Sequence, residues 1–287
     1  MVRVQPGELP DLAWQSGATG YSPAMAEDPR ARRVAENEAA AGASPVDGDL
    51  VIPARFRGPA GSANGGYACG LVAELSAAAG VEVTLRMPPP LETPLAVERD
   101  GQDVRIRLDG DLVAEATPAE PALEPPEAPS FAEAVRLSGE RPDDPAHPFP
   151  SCFVCGPARR PGDGLRLRPA PLGDGRVAAP WVPDERLAGA GRLPTRFAWA
   201  ALDCPGGWAV QPDGSRGITV LGRLTARVVE APAAGDECVV VGWPLGREGR
   251  RLHAGTALFR GGEVLAIGRA VWFEVTDGAR GPETPLV

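Results

Sequence analysis

NGGYACGLVAELSAAA, residues 64–79, is the stretch on which the fold turns. The glycines permit a tight turn, and the small and apolar residues over 67–79 suit a buried helix. Short β-type runs follow at 81–87, 95–99, 104–108 and 112–116, with an Asp109-Gly110 hairpin turn between the last two. Further along, the same order returns: strands at 165–169 and 176–181, an apolar helix at 195–202, then strands at 218–230, 237–243, 253–260 and 264–275. Gly261-Gly262 joins the last pair as another hairpin. One buried helix followed by antiparallel strands, twice, is an internal repeat with a period of about 130 residues. Each copy predicts an α+β layer arrangement in which a sheet wraps a helix.

The organisation outward from the two copies is uneven. Residues 1–47, rich in Pro, Gly, Ala and charge, read as an N-terminal arm with one helical candidate at 28–41, capped by Asp28-Pro29. Residues 48–118 form the first unit, opening on a short apolar run at 50–56. Prolines crowd residues 119–150 on both sides of a short helical stretch at 131–137, a linker composition. The second unit spans 151–276, and 277–287 is a tail.

Composition narrows the chemistry. The 287 residues carry a net charge of −9, which disfavours a phosphate backbone as partner. All 29 basic residues are Arg, so Schiff-base lysines and the P-loop lysine are excluded. With histidine only at His147 and His253, acid–base work falls to a carboxylate. An odd number of cysteines, five, and no signal-like or spanning apolar run lead us to expect a cytoplasmic protein with no membrane partner.

The element order resembles the hotdog fold, and its duplication resembles the double-hotdog acyl-CoA thioesterases. Cys152-Phe153-Val154-Cys155-Gly156 followed by Gly164-Leu165-Arg166-Leu167 resembles the lead-in of many single-hotdog thioesterase-like proteins. The stretch 256–266, Thr256-Ala257-Leu258-Phe259-Arg260-Gly261-Gly262-Glu263-Val264-Leu265-Ala266, resembles their last hairpin. The resemblance covers residues 48–118 and 150–276 and implies two tandem hotdog domains fused as a double hotdog.

It also implies a site. Asn64-Gly65-Gly66 stands where the phenylacetyl-CoA-type relatives carry a His-Gly-Gly turn whose backbone amide polarises the thioester carbonyl. Independently of any family, free amides at a helix start favour developing negative charge, although the same glycines would serve a turn that merely begins a helix. The family acid lies nine residues after the His; nine from Asn64 is Ala73, beside Glu74, whereas nine from Pro194 is Asp203. The first copy thus keeps the amide turn and the second keeps the acid, which predicts one composite site per chain. Asp203 ends an apolar run and precedes Cys204-Pro205-Gly206-Gly207, which reads as a turn, so desolvation should strengthen it as a base; the alternative is a helix-ending Asp that hydrogen-bonds that turn. A Glu pairing with a helix is the plainer reading of Glu74.

The expected reaction is hydrolysis of an acyl thioester, from acyl-CoA or an acyl carrier. Gly65 and Gly66 would hold the carbonyl oxygen, Asn64 would orient the substrate, and Asp203 would activate water or attack directly. Tyr67, Leu71, Phe197 and Trp199 would line an acyl tunnel, and Arg159 and Arg160 would meet coenzyme A phosphates. No cofactor beyond the substrate's own coenzyme A is expected, and no metal: Cys152 and Cys155 alone are half a site. Two double units could pair as a homodimer. The rivals are a non-catalytic acyl-binding protein and an acyl-CoA hydratase or dehydratase.

Overall fold

The computed structural model describes residues 49–140, 147–188, 191–211 and 218–275. The arm, its helix at 28–41 and the tail lie outside the described residues. In chain order the elements are β1 (Asp49–Leu50), α1 (Gly65–Ala73), β2 (Gly80–Leu85), β3 (Leu95–Asp100), β4 (Asp103–Leu108) and β5 (Asp111–Pro118). Then come α2 (Phe131–Glu140), β6 (Ala170–Pro171), β7 (Val177–Trp181), α3 (Thr195–Ala201) and α4 (Cys204–Val210). The last four are β8 (Ile218–Val228), β9 (Cys238–Glu248), β10 (Arg251–Arg260) and β11 (Glu263–Val275).

All 11 strands join one sheet in the order β1-β3-β4-β5-β2-β8-β11-β10-β9-β7-β6. Every pairing is antiparallel. Read outward from the middle, the order of one half mirrors the other, and the halves meet where β2 pairs β8, with Val83 opposite Leu224. Alternation along β2 sorts the seam by face. Val81, Val83 and Leu85 enter the core, while Glu82 accepts from Thr225 Oγ1 at 2.9 Å and pairs with Arg223 at 3.2 Å. Thr84 Oγ1 accepts from Arg223 Nε at 2.9 Å, so the face of the seam away from the core helices is a polar ladder.

On the core face α1 and α3 lie against each other antiparallel, close enough to exclude a side chain. A Cβ on Gly66 would stand 2.7 Å from the Trp199 carbonyl oxygen, and one on Gly70 would stand 2.6 Å from the Arg196 Cα. Gly66 and Gly70 are one turn apart on the same face of α1, so the pair of glycines lets two backbones touch.

Four local readings need correction. The helix read over 67–79 begins at Gly65 and stops at Ala73, because Leu75 and Ser76 tighten back onto Val72 and Ala73 and Ser76 Oγ donates to the Gln102 carbonyl. The strand read at 165–169 is irregular: Leu165 and Leu167 donate to the carbonyls of Phe153 and Val154, and Arg166 between them takes φ 54°. The Cys204-Pro205-Gly206-Gly207 stretch, read as a turn, is the first part of α4, with Pro205 in the first turn where no N–H is needed. Finally, residues 119–140 are not a loose tether. Leu123, Ala128, Phe131 and Ala134 pack on Ala178, Val239, Val241, Ala257, Phe259 and Ile267 across the outer face of the sheet. That cover explains why β9 is buried continuously from Cys238 to Gly242 instead of alternating.

Candidate active site

The start of α1 and the junction of α3 with α4 converge on one carboxylate. Asn64 caps α1, its Oδ1 accepting the Tyr67 N–H at 2.9 Å. Its Nδ2 donates to Asp203 Oδ2 at 2.6 Å, and the Gly66 N–H donates to the same oxygen at 2.9 Å. Asp203 sits between α3 and α4, only 2% exposed. Burial pushes its carboxyl up to about 7, against the opposing pull of the Gly66 N–H; nearby Cys152 adds to the rise and Asn64 opposes it. Asp203 Oδ1 is buried and has no hydrogen-bond partner among the described residues. A carboxyl poised near neutrality, held by one oxygen with the other bare, can exchange a proton or attack an electrophile.

The counterpart at the start of α3 is closed. Glu74, just past α1, accepts from Thr195 Oγ1 at 2.9 Å and from the Arg196 N–H at 2.8 Å, and the Arg196 guanidinium binds its other oxygen at 2.6 Å. Arg196 stands where Gly66 stands in the first copy, two residues after the helix cap. A cation therefore neutralises one acid, while Asp203 has an amide and a backbone N–H. Glu74 pairs with a helix start, as the sequence suggested.

The remaining candidates fall into three groups. Gly65 is half-buried at the first position of α1, where its N–H has no intrahelical acceptor, and nothing accepts it among the described residues. Tyr67, Leu71, Phe197 and Trp199 belong to the core. Tyr67 stacks on Phe56 with centroids 3.9 Å apart, and Phe153 and Phe197 close over the pair. Arg159, the candidate for coenzyme A phosphates, is 2% exposed, and its guanidinium donates to the Ser151 carbonyl at 2.9 Å, the Arg55 carbonyl at 2.7 Å and Asp163 at 3.1 Å. It brackets the 151–155 loop to the first half. Arg160 is exposed.

The structure also assembles residues that sequence spacing kept apart. Cys152 Sγ lies 3.8 Å from Asn64 Nδ2 and 3.8 Å from Cys204 Sγ. Hydrogen bonding among the three thiols holds Cys152 well below the usual range and, together with burial, raises Cys155 and Cys204. Cys204 is 52 residues from Cys152 in the chain, so no local motif announced it.

Solved structures of the same shape cover nearly the whole described chain. The tesB protein of Mycobacterium avium subsp. paratuberculosis superposes with a TM-score of 0.55 at 15% identity, over 84% of this chain and 99% of its own. A conserved protein of unknown function with hot dog fold from Alicyclobacillus acidocaldarius gives 0.56 at 15% identity, over 83% and 97%. The fold is a hotdog. A candidate thioesterase II from Thermobifida fusca gives 0.56 at 14% identity, over 83% and 97%. At the level of sequence alone, no family model and no curated protein matches. The hotdog sheet accounts for the resemblance seen in the sequence, and among the described residues no helix is long and apolar enough to cross a membrane.

Proposed function

We propose that the chain is a double hotdog that hydrolyses an acyl thioester at one composite site, with acyl-CoA or an acyl carrier as substrate. The observation that carries this reading is Asp203, held at Oδ2 by Asn64 and Gly66 from the first copy and bare at Oδ1. Asn64 here orients the acid, where the sequence suggested it would orient the substrate.

In this reading the thioester oxygen meets the Gly65 N–H, with the Gly66 N–H joining as the carboxylate turns toward the reacting carbon. The helix start supplies partial positive charge where the oxyanion forms. Acting as base, Asp203 takes a proton from water as the water oxygen bonds the acyl carbon; the C–S bond then breaks and the proton passes to the departing thiolate. Acting as nucleophile, Oδ1 bonds the carbon itself, expels the thiolate and leaves an anhydride that water opens. Single turnover in heavy-oxygen water distinguishes the two, since only the second can label Asp203.

Thiol release should be measured over short, long and aromatic acyl-CoAs for wild type and Asp203→Asn. The substitution is expected to cut turnover about a hundredfold or more. Turnover that survives it unchanged removes Asp203 from the chemistry, and acyl-CoA binding with no thiol release from any substrate makes the chain a binding protein.

A further inference from the structure

We propose that Cys152, Cys155 and Cys204 form a site for one thiophilic divalent cation of the zinc class. Their three sulfurs all lie within 4.8 Å of one another. A tetrahedral centre with metal–sulfur bonds of about 2.3 Å sets its sulfurs about 3.8 Å apart, and Cys152 and Cys204 stand at 3.8 Å. A disulfide would need about 2.05 Å and would leave the third sulfur over.

The backbone is shaped for the same purpose. Cys152 and Cys155 sit on one tight turn, closed by the Gly156 N–H donating to the Cys152 carbonyl at 2.9 Å. A Cβ on Gly156 would lie 2.4 Å from the Pro150 carbonyl oxygen and 2.5 Å from the Cys152 nitrogen, so only glycine lets the chain fold back and aim both thiols one way. The third thiol comes from the first residue of α4. Asn64 Nδ2, 3.8 Å from Cys152 Sγ, is placed to donate to a metal-bound sulfur, the kind of outer contact that orients a ligand. Three thiolates leave one position of a tetrahedral cation for water. The cation would tie the 152–155 turn to α4, next to Asp203, and so fix the acid's position. None of this rests on Asp203 being catalytic.

The full chain, produced with zinc in the medium and kept reduced, should hold one zinc per chain through dialysis against a weak chelator. Replacement by cobalt should bring up sulfur-to-cobalt charge-transfer absorption. In Cys155→Ser, the least buried of the three, retained metal should fall below about a tenth of an equivalent, whereas Cys238→Ser, outside the cluster, should keep it. Wild-type protein that loses its zinc on dialysis and shows no charge-transfer band with cobalt overturns the site. So does a Cys152–Cys204 disulfide that, once reduced, still takes up no cobalt.

Discussion

Asn64 does two things with one amide: its oxygen caps α1 and its nitrogen restrains Asp203. Asn64→Ser separates them, since a serine keeps the cap and loses the reach. Stability should change by no more than about 1 kcal/mol, while thiol release should fall about tenfold or more, the loss of one hydrogen bond to a charged group. Thermal unfolding and steady-state turnover of the same preparation check both halves. Arg159→Ala should do the reverse. It removes the donor to the Ser151 and Arg55 carbonyls and the packing of a buried guanidinium, and should cost about 2 kcal/mol or more of stability, with KM for acyl-CoA unmoved; a raised KM would support Arg159 at the coenzyme A site. Asn64, Gly66 and Asp203 could be picked out by counting from two helix starts at the nine-residue spacing that the resemblance implies. The partners of Arg159 and Cys204 could not be read, since they come from other parts of the chain.

Helix α1 poses a contest between propensity and packing. In an exposed helix Gly70→Ala would gain about 1 kcal/mol. Here the new methyl meets the Arg196 Cα at 2.6 Å, and backbone cannot step aside as a flexible side chain can. Packing should win, with a net loss of about 1 to 3 kcal/mol in denaturant titration. A stabilised variant would mean that α1 and α3 are farther apart than the structure places them. The hairpin strands were legible because alternation and the Asp109-Gly110 and Gly261-Gly262 turns are written in neighbouring residues; φ is positive at all four. Helix α4 was hidden because its glycines suggest a turn. Their actual use is contact: a Cβ on Gly207 would sit 3.0 Å from the Trp272 ring.

At the scale of the molecule, β2 and β8 share a ladder and α1 and α3 share a backbone contact, so neither half has a core it can keep alone. Far-ultraviolet circular dichroism and tryptophan fluorescence should follow one coincident unfolding transition. All six tryptophans lie outside the first unit, so separated curves would mean that the halves melt independently. The recurrence of a helix followed by antiparallel strands was readable, since each run of that order lies in consecutive sequence. The mirror order of the sheet was not, because it depends on which edge strands meet. The outer cover of β7, β9 and β10 by residues 123–134 has a practical corollary. A fragment starting at residue 151 would carry an uncovered apolar strip and an unpaired β8 edge, two surfaces that invite other copies to add on. Such a fragment should aggregate; in the whole chain residues 123–134 cover the apolar strip and β2 pairs the β8 edge.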